Sequence, residues 1–349
     1  MIRFRFSFTF PALKSFCTTC ALILSCILLS AAIVPAQGGG DQDEVLTVNT
    51  SLVQLNVGVV DRQGQPITNL SRGDFSVYED GVLQPITDFE PTVAPFSLVL
   101  LLDMSGSTQT FRPTLKQAAY RFLDALGPED RVTVIAFNDK VKTLAGFTTD
   151  RRKIARSIEY AEGKGETHFY EALKYSLEQL AKEGKRRKAI VVLTDGIDTG
   201  ASNLDRASAA NAHTNEEALA SVKPNTSAPL NAVLNAADRQ GVTIYPLALP
   251  SGDPKRLTSV EPVQVAVYGS ARARLQTLAD RTGGRLNDIK RLEDMGYLYA
   301  GIAADLRTLY TVFYSPKNSN APKGAWRVIR IEVSHPELIA HTRPGYFGR

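Results

Sequence analysis

The residues of this chain best placed to do chemistry are oxygen donors. Asp103-Met104-Ser105-Gly106-Ser107 follows an apolar run from Phe96 to Leu102, interrupted by Ser97 alone. Gly165-Glu166-Thr167 stands just before a helical pattern that begins near Phe169, and Asp195-Gly196 follows a second apolar run, Ala189 to Thr194. Continuous apolar runs of this length read as strands buried on both faces of a parallel sheet. Ligands of open α/β sheets sit beyond the carboxyl ends of such strands. Two carboxylates and three hydroxyls are thereby brought to one sheet edge, with no thiol and no imidazole pair. Such an all-oxygen set suits a hard cation: Mg²⁺ first, with Mn²⁺ or Ca²⁺ as substitutes. Mg²⁺ takes about six oxygens at roughly 2.1 Å and keeps some waters.

Elements able to hold those residues alternate along the middle of the chain. Phe111, Leu115, Ala118, Phe122 and Leu126 recur at helical spacing. Arg131–Phe137 reads as a strand and 169–182 as a helix with Leu173, Leu177 and Leu180 inward. After the strand 189–194, Pro229 opens a helix, 242–249 is a strand, 271–282 is helical up to Gly283-Gly284, and 292–309 is the last helix, leading into Tyr310–Tyr314. This predicts an α/β fold, a doubly wound and mostly parallel sheet with helices on both faces, over 95–315. The Ala-, Ser- and Asn-rich stretch 200–227 reads as a surface insertion with one short helix. On either side the period changes to two. Val53, Leu55, Val57 and Val59 alternate with Gln54, Asn56 and Gly58, and Glu79-Asp80-Gly81 marks a hairpin. Fewer than 50 residues without a disulfide form a marginal core. The segment 37–94 is therefore expected to join 316–349, where Ile329, Ile331 and Val333 share a face, in a small β-sandwich built from both chain ends.

With order and spacing taken together, Asp103-x-Ser105-x-Ser107, Thr167 and Asp195-Gly196 resemble the metal-ion-dependent adhesion site of von Willebrand factor type A domains. The resemblance covers about 220 residues. It implies that Ser105, Ser107 and Thr167 supply hydroxyl ligands, that Asp103 and Asp195 act largely through water, and that a partner's carboxylate takes the remaining position. Asp74 to Gly81, Trp326-Arg327 and Arg343-Pro344-Gly345-Tyr346 are similar, more loosely, to the type-A-related proteins abundant in Acidobacteria. Neutral hydroxyl ligands leave a divalent ion under-neutralised, which favours an anionic oxygen from a partner protein or surface. A metal hydrolase would instead need a positioned base and a leaving-group site. Glu166, His168 or Asp198 would have to act in the alternative reading of a hydrolase. A third reading is an envelope scaffold in which the metal only stiffens loops.

Composition narrows the classes further. The 349 residues are 44% hydrophobic and 22% charged, which is globular. Forty basic residues face 36 acidic ones, and three of the basic ones, Arg3, Arg5 and Lys14, precede the first acid, Asp41. The remainder is close to neutral, so no nucleic-acid partner is expected. There is no Gly-Lys-Ser/Thr phosphate loop and no Gly-x-Ser-x-Gly elbow. Asp198-Thr199-Gly200 resembles an aspartic-protease loop but occurs once, where two are needed. Lys185-Arg186-Arg187-Lys188 reads as a solvated connection, and His213, His335 and His341 lack metal-ligand spacing. Ser15 to Ala36 carries no charge, and Val34-Pro35-Ala36 offers the small residues a signal peptidase reads. Residues 1–36 are thus expected to be a signal peptide, and the mature chain to be exported to periplasm, envelope or medium. An uncleaved leader would tether it to the membrane. All three cysteines, Cys17, Cys20 and Cys26, would leave with the leader. Cleavage predicts a mature chain that begins at Gln37 by intact-mass measurement; a species retaining residues 1–36 would indicate the anchor.

Overall fold

A computed structural model describes residues 52–250, 261–317, 322 and 324–348. The expected leader and its cysteines lie outside the described residues. The described chain opens with β1 (Val53–Val60), β2 (Phe75–Glu79), β3 (Val82–Gln84) and β4 (Ile86–Glu90). In β1 the alternation puts Val53, Leu55, Val57 and Val59 inward. Between β2 and β3, Asp80 and Gly81 both adopt positive φ (49° and 80°), the backbone a two-residue hairpin with native twist requires.

The α/β portion follows: β5 (Phe96–Asp103), α1 (Arg112–Asp124), β6 (Arg131–Phe137), β7 (Val141–Thr148), α2 (Arg151–Glu159), α3 (Phe169–Ala181), β8 (Arg187–Thr194), α4 (Thr199–Ala209), α5 (Asn215–Ser221), α6 (Ala228–Gln240), β9 (Val242–Ala248), α7 (Pro262–Thr282), β10 (Asn287–Asp288) and α8 (Met295–Thr308). Its sheet runs β10-β9-β8-β5-β6-β7, parallel throughout except for β7, which is antiparallel to β6 at one edge. Strand β5 is buried on both faces. Leu98, Leu100 and Leu102 meet Leu115, Phe122 and Tyr299 on one side. Val99 and Leu101 meet Phe169, Leu173 and Leu234 on the other. This is the expected doubly wound α/β architecture.

Residues Leu309–Tyr314 depart from the expected course. Their largely apolar run reads like a strand of the parallel sheet, but they form β11 between β1 and β4 in an antiparallel sheet, ordered β13-β1-β11-β4. Both faces of β11 are buried, which removes the alternation that would have distinguished it. The second antiparallel sheet, β14-β12-β2-β3, contains β12 (Trp326–Val333) and β14 (Gly345–Phe347); β13 (Ile339–His341) flanks β1. Leu55, Val57, Val77, Tyr310, Val312 and Ile331 share one core between the two sheets. At its centre Glu79, fully buried, accepts from Arg327, Tyr314 and Tyr346. The sequence stretches around residues 74–81, 326–327 and 343–346 thus converge on one polar network.

Three more differences have clear physical causes. Segment 200–227 contains two helices, α4 and α5, rather than one. Their inward residues are small or polar (Ala201, Ser202, Asp205, Ala209, Ala218), so no apolar period marks them. A buried Asp205–Arg274 pair at 2.6 and 2.7 Å ties α4 to α7. Strand β7 and helix α2 give little sequence signal, since β7 is a half-exposed edge and α2 buries only Ile154 and Ile158.

The third difference concerns the basic run, which is only partly solvated. Arg187 and Lys188 are buried at the start of β8. The Arg187 guanidinium donates to Thr92 O (3.0 Å), Leu306 O (3.2 Å) and Leu309 O (2.6 Å). These carbonyls flank the two places where the chain passes between sandwich and α/β portion, so one side chain clamps both crossings. Arg187→Ala would strand three buried carbonyls and should lower unfolding stability by about 3–5 kcal/mol in a denaturant titration. A loss below about 1 kcal/mol would show that the clamp is not needed.

Candidate metal centre

The register of the parallel sheet creates the site. Strands β5 and β8 are neighbours, with Leu102 paired to Leu193, so Asp103 and Asp195 leave the sheet at the same edge. Both are almost completely buried, at 0% and 1% exposure. Asp103 Oδ1 accepts from Ser105 N at 3.0 Å, and Oδ2 accepts from the Thr194 hydroxyl at 2.8 Å. Thr194 in turn accepts from Gly196 N at 3.0 Å, and Asp195 Oδ1 accepts from Ile197 N at 3.1 Å. Gly196 has φ +82°, and a Cβ there would lie 2.8 Å from Leu275 Cδ1, so only glycine lets the β8 loop turn so tightly.

The serine loop is fixed from below. Thr108 Oγ1 donates to Asp103 O and Ser105 O (2.8 and 3.0 Å), and Arg112 donates to the carbonyls of Met104, Ser105 and Gly163. The hydroxyls of Ser105 and Ser107 lie 3.2 Å apart. Two ligands at right angles on an ion with bonds of roughly 2.1 Å stand about 3.0 Å apart, so this spacing fits adjacent coordination positions. The third loop is tied to the first through Gly106 N, which donates to Gly165 O at 3.1 Å. It is tied to the β8 loop by a reciprocal pair: Thr167 N donates to Thr199 Oγ1 (3.0 Å) and Thr199 N to Thr167 O (2.9 Å). Thr167 is buried, and its own hydroxyl has no hydrogen-bond partner among the described residues.

Asp103, Ser105, Ser107 and Asp195 are thus directly interlinked, and Thr167 belongs to a loop bonded to both of theirs. Burial, reinforced by the neighbouring Asp195 charge, pushes the Asp103 carboxyl up to about 7 against the hydrogen bonds from Ser105 and Thr194. Burial likewise raises Asp195, opposed by its bonds to Ser107 and to Ile197 N. Two carboxylates held together away from water favour either a shared proton or a cation between them. Among the described residues no group of three or more His, Cys, Asp or Glu could hold a metal, so hydroxyls would have to complete any coordination here.

The other candidates stand apart from this cluster. Glu166 is largely exposed and lies 3.6 Å from the His168 ring, which also approaches Glu171 at 3.5 Å. Asp198 caps α4 by accepting from Ala201 N (3.0 Å) and also accepts from Tyr170 N (3.4 Å), which explains its position without any catalytic role. Sequence reasoning passed over Thr194, Thr199 and Arg112. Thr194 is the polar end of an otherwise apolar strand, which is a usable signal; nothing in the local sequence marks Arg112.

The family model for the von Willebrand factor type A domain matches residues 98–197. An uncharacterized Synechocystis protein is 36% identical over 114 residues, 31% of this chain and 27% of that one. The human voltage-dependent calcium channel subunit alpha-2/delta-2 is 27% identical over 115 residues, 30% of this chain and 10% of the subunit. The chain thus spans about a quarter of the first relative and a tenth of the second. Among solved structures, a von Willebrand factor type A protein from Catenulispora acidiphila is 11% identical with a TM-score of 0.45, covering 86% of this chain and 75% of that one. An aerotolerance-related membrane protein from Bacteroides fragilis is 16% identical with a TM-score of 0.43, covering 60% and 98%. The matched strands, β5 to β8, are those that carry Asp103 and Asp195, so the likeness to von Willebrand factor type A domains falls on the part of the chain that holds the candidate site.

Proposed function

We propose that this chain is an exported, non-catalytic binding module that holds one divalent cation, Mg²⁺ by preference, and takes up a carboxylate from a protein or surface partner. Asp103, Ser105, Ser107, Thr167 and Asp195 would hold the ion. The observation that carries the reading is the buried Asp103–Asp195 pair, faced by two serine hydroxyls at ligand spacing. When bound, the ion supplies a positive charge whose ligands are mainly neutral hydroxyls, and therefore a residual affinity for an outside anion. The chain's own residues orient that position: Arg112 and Thr108 hold the serine loop rigid, and the Thr167–Thr199 pair keeps the third loop against the β8 loop.

Export is supported by the basic start of the leader followed by the uncharged stretch Ser15 to Ala36, and by the absence of cysteine after residue 26. Among the described residues no helix is long and apolar enough to cross a membrane. Placement in periplasm, envelope or medium follows from the leader alone.

Two measurements on the metal alone test the reading. Millimolar Mg²⁺ should raise the thermal midpoint of the wild type by a few degrees over the same protein in chelator, and Asp103→Ala should abolish that response. An unchanged wild-type midpoint would count against a cation site. Asp195→Asn removes a like charge from beside Asp103. In chelator it should therefore be more stable than wild type, by roughly 1 kcal/mol, while losing its response to Mg²⁺. A less stable Asp195→Asn protein in chelator would mean that the carboxylate pair serves the apo fold.

A further inference from the structure

The edge of the sheet beside the proposed metal centre carries a run of exposed cations. A groove of about 380 Å³ begins at Met104, between Asp103 and Ser105, and passes Lys140, Lys142 and Lys164. It shares Lys142, Leu144 and Tyr160 with a second stretch of about 400 Å³ between strand β7 and helix α2, where Lys153 and Arg156 stand. All five cations are exposed, and none takes part in an ion pair among the described residues. Two acids, Asp139 and Glu162, line the first stretch and none lines the second. Tyr160 stands between the two stretches at 75% exposure, unusually open for so large a ring. Strand β7 is the outer strand of its sheet, so one side of its backbone has no neighbouring strand among the described residues.

Unpaired cations clustered along one groove repel one another and are better satisfied by an anionic guest than by solvent alone. An edge strand adds backbone donors and acceptors that an extended peptide can use. We infer that this groove receives an acidic peptide segment of the partner, running from the metal centre along β7 and α2. The carboxylate on the ion would then be the first of several. This rests on the binding reading above and names its partner class: an extended acidic polypeptide rather than an isolated carboxylate.

The test measures fluorescence anisotropy of a labelled short oligo-glutamate peptide in Mg²⁺. Lys142→Glu with Arg156→Glu should weaken binding roughly tenfold and flatten its dependence on NaCl. Arg206→Glu with Lys223→Glu, in the exposed segment that packs on α7 toward the opposite edge of the sheet, makes the same change in net charge away from the groove and should leave affinity within about twofold. Equal losses in the two double variants would reduce the effect to net charge and overturn the proposal. Binding lost in chelator but unchanged by the groove variant would overturn the groove and leave the metal centre standing. Binding weakened by the groove variant but indifferent to chelator would support the groove and refute the metal reading. Finally, binding of a labelled uronate polysaccharide with no binding of the peptide would overturn the peptide assignment. Lys142→Gln with Arg156→Gln should give an intermediate loss; identical affinity to wild type would contradict charge pairing.

Discussion

Two carboxylates forced together at the ends of adjacent parallel strands set the terms for everything around them. Asp103 and Asp195 cannot separate, because β5 and β8 share seven paired positions, Phe96–Leu102 with Arg187–Leu193, and exit the sheet side by side. Burial denies them water, so each must be satisfied by hydrogen bonds, a proton or a cation. The surrounding residues answer that requirement: Thr194 and two backbone N–H groups bond the carboxylates, and the serine loop presents its hydroxyls beside them. An arrangement of this kind is unfavourable when bare and becomes favourable around a divalent ion. That makes it a poor device for stabilising a fold and a good one for holding a metal.

The sandwich and the α/β portion are one covalent loop within another. The chain leaves the sandwich after β4 and returns at β11, and Arg187 grips the carbonyls at both crossings. Arg343 adds a second tie, donating to Asp238 O in α6 and to Gln54 O in β1. Since Arg187 opens the strand that ends at Thr194, just before Asp195, the sandwich is anchored to one end of β8 and the proposed metal centre lies at the other. The metal-proximal loops are thereby left facing away from the anchored end.

What could be read in advance was what packing writes into periodicity. Strands β5, β8 and β9, buried on both faces, appear as continuous apolar runs, and the loops that follow two of them held the candidate ligands. The alternation in β1 and the Asp80-Gly81 turn were equally plain. Elements whose burial leaves no such trace went unseen. Edge strand β7 and helix α2 bury too little, α4 and α5 bury alanine and serine, and β11 resembles a parallel strand because both its faces are covered. The basic run misled because a guanidinium can be buried when carbonyl oxygens surround it, as around Arg187, and composition does not reveal those carbonyls. Thr194 and Arg112 act through other residues, so no motif points to them.

The account turns on where a divalent ion resides. Crystals of the protein grown with Mn²⁺ and measured at a wavelength where manganese scatters anomalously would locate it directly. The account predicts a single strong peak within bonding distance of the Ser105 and Ser107 hydroxyls, with Asp103 and Asp195 close enough to reach it directly or through one water. No peak at that edge of the sheet, or a peak held by other residues, would contradict it.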